Sequence, residues 1–333
     1  MRAQTFLFTL IVGLLTGTNS ALATCQTGEK VIRFGTTKTD AETKTSRLAK
    51  EIQTQFQRAL NGRVCVKIVQ DAAISVSGTE LEALRENRAD IVAASFESLG
   101  ARASRFQIFG LPFAFSDRLA LDRYMAASLA NDWDRDLASF GLKGFGLAFF
   151  GFEQLGAKKP VFKPADAIGL KFRQNQRRPS REMLSLMNAA GQRIGDKDAA
   201  AAVKDGRVEA QFWDWFSLRS SGSAANHAVI VETNFTMPGA QVVGTTLWFE
   251  TLDGKQRDAI AAAISEGVSQ FNRRESQRIA EAKRALLQTG KPVYLLTRQQ
   301  RQRWQELFAP LWNAFRAGSG GERQLKAVEK AGY

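Results

Sequence analysis

The sequence predicts an α/β protein with two domains, each a mostly parallel sheet flanked by helices. Three observations predict this class. Strand-like and helix-like segments alternate from residue 31 onward, and such a β-α-β series forms parallel sheets. The alternation begins again near residue 169. The length of 333 residues suits two domains of roughly 100–200 residues each.

The first half predicts three strands separated by two helices. The strands lie at 31–34, 64–69 and 90–94, with helices at about 43–60, ended by Asn61-Gly62, and around Leu81 and Leu84. The apolar run 109–115 contains Pro112, which predicts a strand or extended edge rather than a helix. A helix at about 117–139 follows. The apolar segment 142–152 is a further strand and a candidate crossover between the domains.

The second half of the chain repeats this alternation of strands and helices. Strands are predicted at 169–173, 192–194, 207–213, 227–231 and 241–249, and helices at about 178–190, 197–204, 253–288 and 298–316. Pro292 ends the long helix. The tail from 317 to 333 starts with Gly318-Ser319-Gly320-Gly321, and its composition predicts mobility.

Residues 1–23 read as a cleaved signal peptide, so the protein is expected to be exported. Arg2 is the positive region, 6–15 is the apolar core, and Ala21-Leu22-Ala23 is a small-x-small cleavage site. Thr24 would then be the first mature residue. An uncleaved anchor is disfavoured because the apolar run is too short to span a membrane. A lipoprotein would need cleavage directly before Cys25, and Thr24 fits that poorly.

The two cysteines gain meaning from export. Cys25 precedes the first strand and Cys65 lies within the second. If these strands are neighbours, one disulfide joins them, since exported proteins fold in an oxidising compartment. The alternative is two free thiols.

The net charge of +13 does not indicate a nucleic-acid partner. Loss of Arg2 with the signal peptide would leave +12. The basic residues are spread along helices with acidic residues between them, and no nucleic-acid-binding motif is present. A basic surface that favours anionic solutes is the better interpretation.

The sequence is poor in catalytic, metal and cofactor motifs. The single histidine, His227, lies in an apolar segment without a nucleophile motif, so a structural role is the simpler interpretation. Two distant cysteines and one histidine do not make a zinc site. The glycine-rich run 141–146 precedes a strand instead of opening a helix, so it is not a phosphate loop. No cofactor is expected.

Arg173 is the strongest binding candidate because it ends the strand 169–173. An arginine there presents a rigid, charged fork to a carboxylate, at the strand end where α/β sheets bind ligands. Aromatic residues collect at two strand ends, namely Phe149, Phe150, Phe152, Phe212, Trp213 and Trp215. They can form the wall of an apolar pocket or belong to the ordinary core, and Trp213 is the best pocket candidate.

Several short motifs occur in an order that resembles a known family. They are Ile32-Arg33-Phe34-Gly35, Asn61-Gly62-Arg63-Val64, Leu81-Glu82-Ala83-Leu84, Leu111-Pro112-Phe113-Ala114-Phe115, Gly169-Leu170-Lys171-Phe172-Arg173 and Asp205-Gly206-Arg207-Val208-Glu209. Over residues 31 to 316 the chain resembles the DctP-type solute-binding proteins of tripartite ATP-independent periplasmic (TRAP) transporters. Each motif is weak alone, and their order carries the resemblance.

The resemblance implies a two-lobed periplasmic-binding-protein fold of the Venus-flytrap type, with a long helix bridging the lobes. Lobe I would comprise 24–150 and about 236–275, and lobe II 151–235 and about 276–316. It also implies closure over one organic acid, held by Arg173 through its carboxylate, and delivery to the membrane permease subunits. The protein would be a monomeric receptor and not an enzyme.

The departures from the family pattern concern specificity. Glu153 stands where sialic-acid-type members often have a second arginine, so it can meet an amine, a hydroxyl or a cation of the ligand, or pair with Arg173. Phe212 replaces an acidic metal ligand of keto-acid-binding relatives, which disfavours a metal-bridged ligand. Trp213 replaces an amide of the sialic-acid branch. The predicted ligand-binding residues are Arg173, Trp213, Glu153, Phe152, Asn175, Thr37, Glu97 and Asn234.

Two other functions stay open. The same fold can act as a sensor module that signals to a membrane receptor. A secreted hydrolase that uses His227 is the more distant alternative.

Overall fold

A computed structural model describes residues 25, 28–37, 43–60, 64–71, 74, 79–127, 130–175 and 179–332. The predicted signal peptide and the Asn61-Gly62 turn lie outside these ranges. The described residues contain no helix that is long and apolar enough to cross a membrane.

The secondary structure alternates between strands and helices along most of the chain. The strands are β1 (Lys30–Thr37), β2 (Val64–Asp71), β3 (Ile91–Ser95), β4 (Leu142–Phe149), β5 (Gln154–Ala157), β6 (Lys171–Gln174), β7 (Ala190–Arg193), β8 (Ala210–Trp213), β9 (Val229–Glu232), β10 (Gly239–Thr245) and β11 (Val293–Leu295). The helices are α1 (Lys44–Ala59), α2 (Glu80–Arg85), α3 (Phe96–Gly100), α4 (Arg118–Ala126), α5 (Ala130–Ser139), α6 (Arg181–Leu186), α7 (Ala199–Lys204), α8 (Trp215–Ser220), α9 (Ser223–Asn226), α10 (Thr246–Glu250), α11 (Gly254–Gln288), α12 (Arg298–Leu307), α13 (Ala309–Ala317) and α14 (Gly321–Ala331).

The strands form two sheets, one in each of two lobes. The first sheet has the order β2-β1-β3-β10-β4, and the second has the order β11-β9-β5-β8-β6-β7. Among the described strands, β10 alone runs against its neighbours in the first sheet, and β5 alone does so in the second. The predicted α/β class with mostly parallel sheets is therefore confirmed.

Two segments cross between the lobes side by side. Residues 150–153 join β4 to β5, and residues 233–238 join β9 back to β10. Their backbones are paired, because Phe150 N donates to Pro238 O (2.8 Å) and Phe235 N donates to Glu153 O (2.8 Å). The predicted lobe boundaries at 150/151 and 235/236 lie within these hinge segments.

The hinge requires a glycine at 151. Gly151 has a φ of 95°, in the left-handed region that side chains disfavour. A Cβ atom there would also lie 2.5 Å from Ile279 Cδ1. The close approach lets α11 lie directly against the crossing segment.

The 35-residue helix α11 braces both lobes. Asp253 caps its start by accepting from Gln256 N at 2.8 Å. Ile264 and Phe271 pack into the first-lobe core with α1, whereas Ala282 and Leu286 pack against Trp215 of the second lobe. One continuous helix thus carries two apolar surfaces and bridges the lobes, as the family resemblance implied.

The chain after the long helix returns to the first lobe. Trp304 and Phe308 fill the second-lobe core, and Phe315 then enters the first-lobe core. The prediction of a mobile tail after 317 is wrong, because α14 buries Leu325, Val328 and Ala331 in that core. Burial of this apolar face outweighs the glycine-rich start of the segment.

Other predicted elements differ in detail. The run 109–115 is not a strand, since it ends a 3₁₀ helix at Ser104–Gly110 and continues as turns. Its backbone joins the hinge instead, with Phe113 N donating to Phe235 O at 2.7 Å. The predicted helix at 178–190 is only α6, and the strand predicted to 249 ends at β10 and continues as α10. Strands β5 and β11 were missed.

Cys25 and Cys65 form a disulfide, as predicted. Strands β1 and β2 are parallel neighbours, with Val31 paired to Cys65, so the bond ties the start of β1 to β2. The two cysteines are 40 residues apart. Closing a loop of that length in the unfolded chain favours the folded state by about 4 kcal/mol in the chain-entropy model.

Candidate ligand-binding site

The candidate site lies where the carboxyl ends of the strands meet the hinge. Strands β6 and β8 are parallel and end at Gln174 and Trp213. Strand β5 runs the other way, so its first residue, Gln154, pairs with Trp213 at the same edge. The preceding residues Phe152 and Glu153 come from the first lobe through the hinge. The fold therefore brings Arg173, Trp213 and Glu153 to one edge of the second sheet.

Arg173 is buried and held from two sides. Its residue is 3% exposed, and its Nε donates to the carbonyl oxygen of Ile194 at 3.1 Å. The guanidinium carbon lies 4.1 Å from the centre of the Trp213 ring, a distance that allows a cation–π contact. Burial lowers the pKa of Arg173, and Asp196 opposes that shift. The guanidinium stays charged, because an arginine is always protonated in proteins.

Asp196 is the site residue that the sequence reasoning missed. Its Oδ1 accepts from Arg173 Nη2 and from Asn175 Nδ2 at 2.5 Å. It begins a 3₁₀ turn, Asp196–Asp198, three residues after the end of β7. Strand β7 is parallel to β6, so its carboxyl end reaches the same edge. Asp196 could have been found from its position just after the strand predicted at 192–194, because ligands of α/β sheets bind at the carboxyl ends of the strands.

The aromatic residues divide between core and site. Phe149, Phe212 and Trp215 are buried in three core clusters, so for them the core interpretation holds. Phe212 stacks on Phe235 at 3.9 Å. Phe150, Phe152 and Trp213 are half-buried and pack only partly against the cores. Of the predicted pocket wall, these three have surface that can face a ligand, and Trp213 lies against Arg173.

Glu153 lies in the hinge and is 8% exposed. Its Oε2 accepts from the hydroxyl of Thr236 at 2.5 Å, and its backbone pairs with the returning segment. The ion pair of Arg173 goes to Asp196 and not to Glu153. The sequence left open whether Glu153 pairs with Arg173, and in the structure the carboxylate of Asp196 makes that pair.

Asn234 makes hydrogen bonds at the hinge, and its predicted contact with the ligand stays a prediction. Its Oδ1 accepts from Gln154 Nε2 at 2.8 Å, and its Nδ2 donates to Ser116 O at 2.7 Å. It adopts a left-handed backbone with a φ of 47°, which asparagine tolerates better than most residues. Both ends of the amide are used to join the lobes, because Ser116 and Gln154 belong to different lobes.

The first-lobe candidates lie at the facing strand ends. Thr37 ends β1, and its side chain is outside the described part of the chain. Glu97 is the second residue of α3, directly after β3, and its side chain is exposed. That side chain makes no hydrogen bond or ion pair with another described residue. Ser95 at the end of β3 pairs with Ala240 at the start of β10, so the carboxyl edge of the first sheet lies at the hinge. No hydrogen bond or ion pair joins the Glu97 side chain to Arg173.

One ion pair joins the lobes directly. Lys44 at the start of α1 donates to Asp214 Oδ2 at 2.6 Å and to Phe150 O at 2.7 Å. Asp214 follows β8 and also caps α8. The side chains of Lys44 and Asp214 are 18% and 4% exposed, so this largely buried pair helps to hold the lobes in their present arrangement.

His227 is buried away from this site. It is 2% exposed, and neither ring nitrogen has a hydrogen-bond partner among the described residues. Burial and the charges of Lys291 and Lys158 lower the pKa of His227 to about 4. Because neither ring nitrogen is hydrogen-bonded to a described serine, threonine or cysteine, the described residues do not form the histidine–nucleophile pair that hydrolytic sites use.

Acidification should destabilise the protein through His227. The unfolded chain binds a proton below its usual pKa of about 6.5, whereas the folded state resists protonation down to about pH 4. Stability present above pH 6.5 is therefore lost as the pH falls, by about 2 kcal/mol between pH 7 and pH 5. Urea denaturation of the wild type and His227→Leu at both pH values measures it. We expect the variant to lose less stability than the wild type, and parallel pH profiles would contradict the assignment.

The described residues contain one group of potential metal ligands, Cys25, Glu29 and Cys65. The two sulfur atoms are joined in the disulfide, so the group has no thiolate for a metal. The candidate site itself contains a cation, Arg173, at its centre.

The comparisons with known proteins agree with this architecture. Residues 34–318 match the family described as bacterial extracellular solute-binding protein, family 7. The chain is 27% identical over 305 residues to the C4-dicarboxylate-binding periplasmic protein DctP of Vibrio cholerae, covering 91% of each chain.

Solved structures show the same fold. A TRAP periplasmic solute-binding protein from Shewanella oneidensis with bound succinate has a TM-score of 0.78 at 22% identity, covering 92% of this chain and 100% of that one. One from Roseobacter denitrificans with bound β-D-glucuronate has a TM-score of 0.76 at 16% identity, covering 90% and 99%. Because the family match spans most of the chain, this protein belongs to the bacterial extracellular solute-binding proteins of family 7.

Proposed function

We propose that this protein is the periplasmic receptor of a TRAP-type transporter and binds a small organic acid between its lobes. The observation that carries the proposal is Arg173, a buried guanidinium stacked on Trp213 at the edge where the two lobes meet. The receptor would then deliver the acid to the membrane permease subunits. The named relatives that bind dicarboxylates and sugar acids support a carboxylate ligand.

The chemistry of Arg173 favours a carboxylate. Its Nε is used by Ile194, which leaves Nη1 and Nη2 as the edge that can hold two carboxylate oxygens. The Trp213 ring fixes the plane of this fork. Phe152 and Trp213 supply apolar surface around it, so the carbon skeleton of the acid can pack while its charge is paired.

Closure of the lobes strengthens this interaction. The hinge segments 150–153 and 233–238 connect lobes whose strand ends face each other. Bringing the first lobe over Arg173 excludes water, and a charged hydrogen bond gains strength where the dielectric constant is low. Glu153 sits in the hinge at the rim of this site, where it would contribute to specificity together with Asn175.

The alternatives are less well supported. A sensor module of the same fold would have the same ligand site. A pull-down experiment distinguishes the two functions, because a transport receptor retains the permease subunits and a sensor module retains a signalling receptor. Hydrolysis through His227 is disfavoured because that imidazole is buried without partners among the described residues. We therefore infer a binding role without catalysis, as a monomer that contacts ligand and permease and not nucleic acid.

A thermal-shift screen tests the proposed function. Dicarboxylates, hydroxy acids, sugar acids and their neutral amides are compared at millimolar concentration. A ligand at 100 times its Kd stabilises the folded state by about 2.7 kcal/mol, which raises the melting temperature by several degrees. We expect at least one acid to do so and its amide not to. If no acid shifts the melting temperature, or acid and amide shift it equally, the proposal is wrong.

A further inference from the structure

The carboxylate that Arg173 binds in this structure belongs to the protein itself. We propose that Asp196 is an internal competitor for Arg173: it pairs with the guanidinium before a ligand arrives and opposes the ligand carboxylate at the same group. The proposal deepens the proposed function and rests on it. It identifies Asp196 as a residue that sets ligand affinity.

The two partners of this ion pair differ in freedom. The Arg173 side chain is 2% exposed, whereas the Asp196 side chain is 60% exposed. Arg173 is held by Ile194 O and by the Trp213 ring. Asp196 lies on the short 3₁₀ turn after β7. The guanidinium therefore stays in place, and the aspartate is the partner that can move into solvent.

The geometry of the guanidinium makes Asp196 and a ligand carboxylate compete for the same N–H groups. With Nε engaged by Ile194, a ligand carboxylate must use Nη1 and Nη2. Nη2 already donates to Asp196, and among the described residues Nη1 has no hydrogen-bond partner. A bound acid must therefore displace Asp196 or lie beside it. In the second case two negative charges share one cation and repel each other.

An internal carboxylate also has a physical advantage. A buried charge without a counter-ion is strongly unfavourable, so Arg173 needs a partner whenever no ligand is present. Asp196 supplies it and is itself held by a second donor, Asn175 Nδ2. Ligand binding then exchanges one carboxylate for another, and the affinity reflects the difference between them. Neutralising Asp196 should remove the competitor while keeping its shape.

The experiment compares two isosteric variants by calorimetry at pH 7.5, with succinate and D-glucuronate as probes. Asp196→Asn removes the competing charge. Asp198→Asn removes an equal charge two residues away on the same exposed turn, and no hydrogen bond or ion pair joins Asp198 to Arg173. We expect Asp196→Asn to bind the probes about tenfold more tightly than the wild type, equivalent to about 1.4 kcal/mol. Asp198→Asn should bind like the wild type.

The outcomes separate this inference from the proposed function. If a probe binds the wild type and binds Asp196→Asn equally well or more weakly, the competitor role is wrong and the proposed function stands. Equal gains in both variants would also overturn the competitor role, because they would reflect net charge alone. Binding of a probe to Asp196→Asn, with no detectable binding to the wild type or Asp198→Asn, would support the competitor role. Failure of both probes to bind any variant would reject these acids as ligands and the inference with them. Circular dichroism of each variant checks the fold.

Discussion

Arg173→Ala is expected to lower the affinity for the ligand acid at least about 100-fold, or about 2.7 kcal/mol. The change removes the charge and the fork that hold the carboxylate. Loss of a charged hydrogen-bonding partner in a buried complex typically costs 2–5 kcal/mol. The acid found by thermal shift is titrated into wild type and variant by calorimetry. An affinity within threefold of the wild type would exclude Arg173 as the anchor.

Two controls keep this result interpretable. Arg173→Lys retains a positive charge but loses the planar fork and the stacking on Trp213, so its affinity should fall between those of wild type and Arg173→Ala. Far-ultraviolet circular dichroism of both variants should match the wild type, because Asp196 is exposed and can turn to solvent when its partner is removed. A disordered variant would give no information on the anchor, and the lysine variant then decides.

Glu275→Ala is expected to destabilise the folded state by 3–5 kcal/mol, the typical effect of leaving a buried charge unpaired. Glu275 on α11 is 1% exposed and Arg47 on α1 is 6% exposed. Arg47 Nη2 donates to both oxygens of Glu275, at 2.8 and 3.0 Å. Its guanidinium carbon also lies 5.2 Å from the centre of the Phe216 ring in the second lobe. The variant would leave that charge buried where the lobes and α11 meet.

The matched control lies on the same helix. Glu266 pairs with Arg273 at 3.0 Å, and their side chains are 50% and 54% exposed. Because exposed pairs contribute at most about 1 kcal/mol, Glu266→Ala should change the urea midpoint little. The double variant Arg47→Met/Glu275→Leu should recover much of the lost stability, since it removes both charges together. Equal effects of Glu275→Ala and Glu266→Ala would contradict the burial argument.

Local patterns predicted most of the fold because they report on short stretches of chain. Apolar residues four apart identified α1 and α11, and the apolar strand runs identified β1, β2 and β3. The prediction failed where neighbours in space are distant in sequence. Strand β5 is four residues long and lies reversed between β8 and β9, so its pattern is too short to recognise. The prediction of a mobile tail was wrong because it rested on the glycines at the start of the segment and overlooked the helical spacing of Leu325 and Val328.

The candidate site shows the same division. Arg173 and Trp213 were predictable because each ends a strand whose direction the topology sets. Asn234 was predicted to contact the ligand, and in the structure its amide joins Gln154 to Ser116, which lies 118 residues before Asn234. A hydrogen bond of that kind depends on how the lobes are placed, and no local pattern encodes it.

Local sequence patterns established the α/β class, the long helix and the arginine at the strand end, since strand and helix periodicity and strand-end position are local properties. The disulfide depends on the parallel pairing of β1 and β2, and the bridging of the lobes by α11 was implied only by the family resemblance. The groups that surround Arg173 depend on the tertiary structure. The sequence indicated that its expected arginine companion is replaced by Glu153, and it left open whether the two residues pair. The structure pairs Arg173 with Asp196, 23 residues along the chain, because the parallel pairing of β6 and β7 brings their carboxyl ends together.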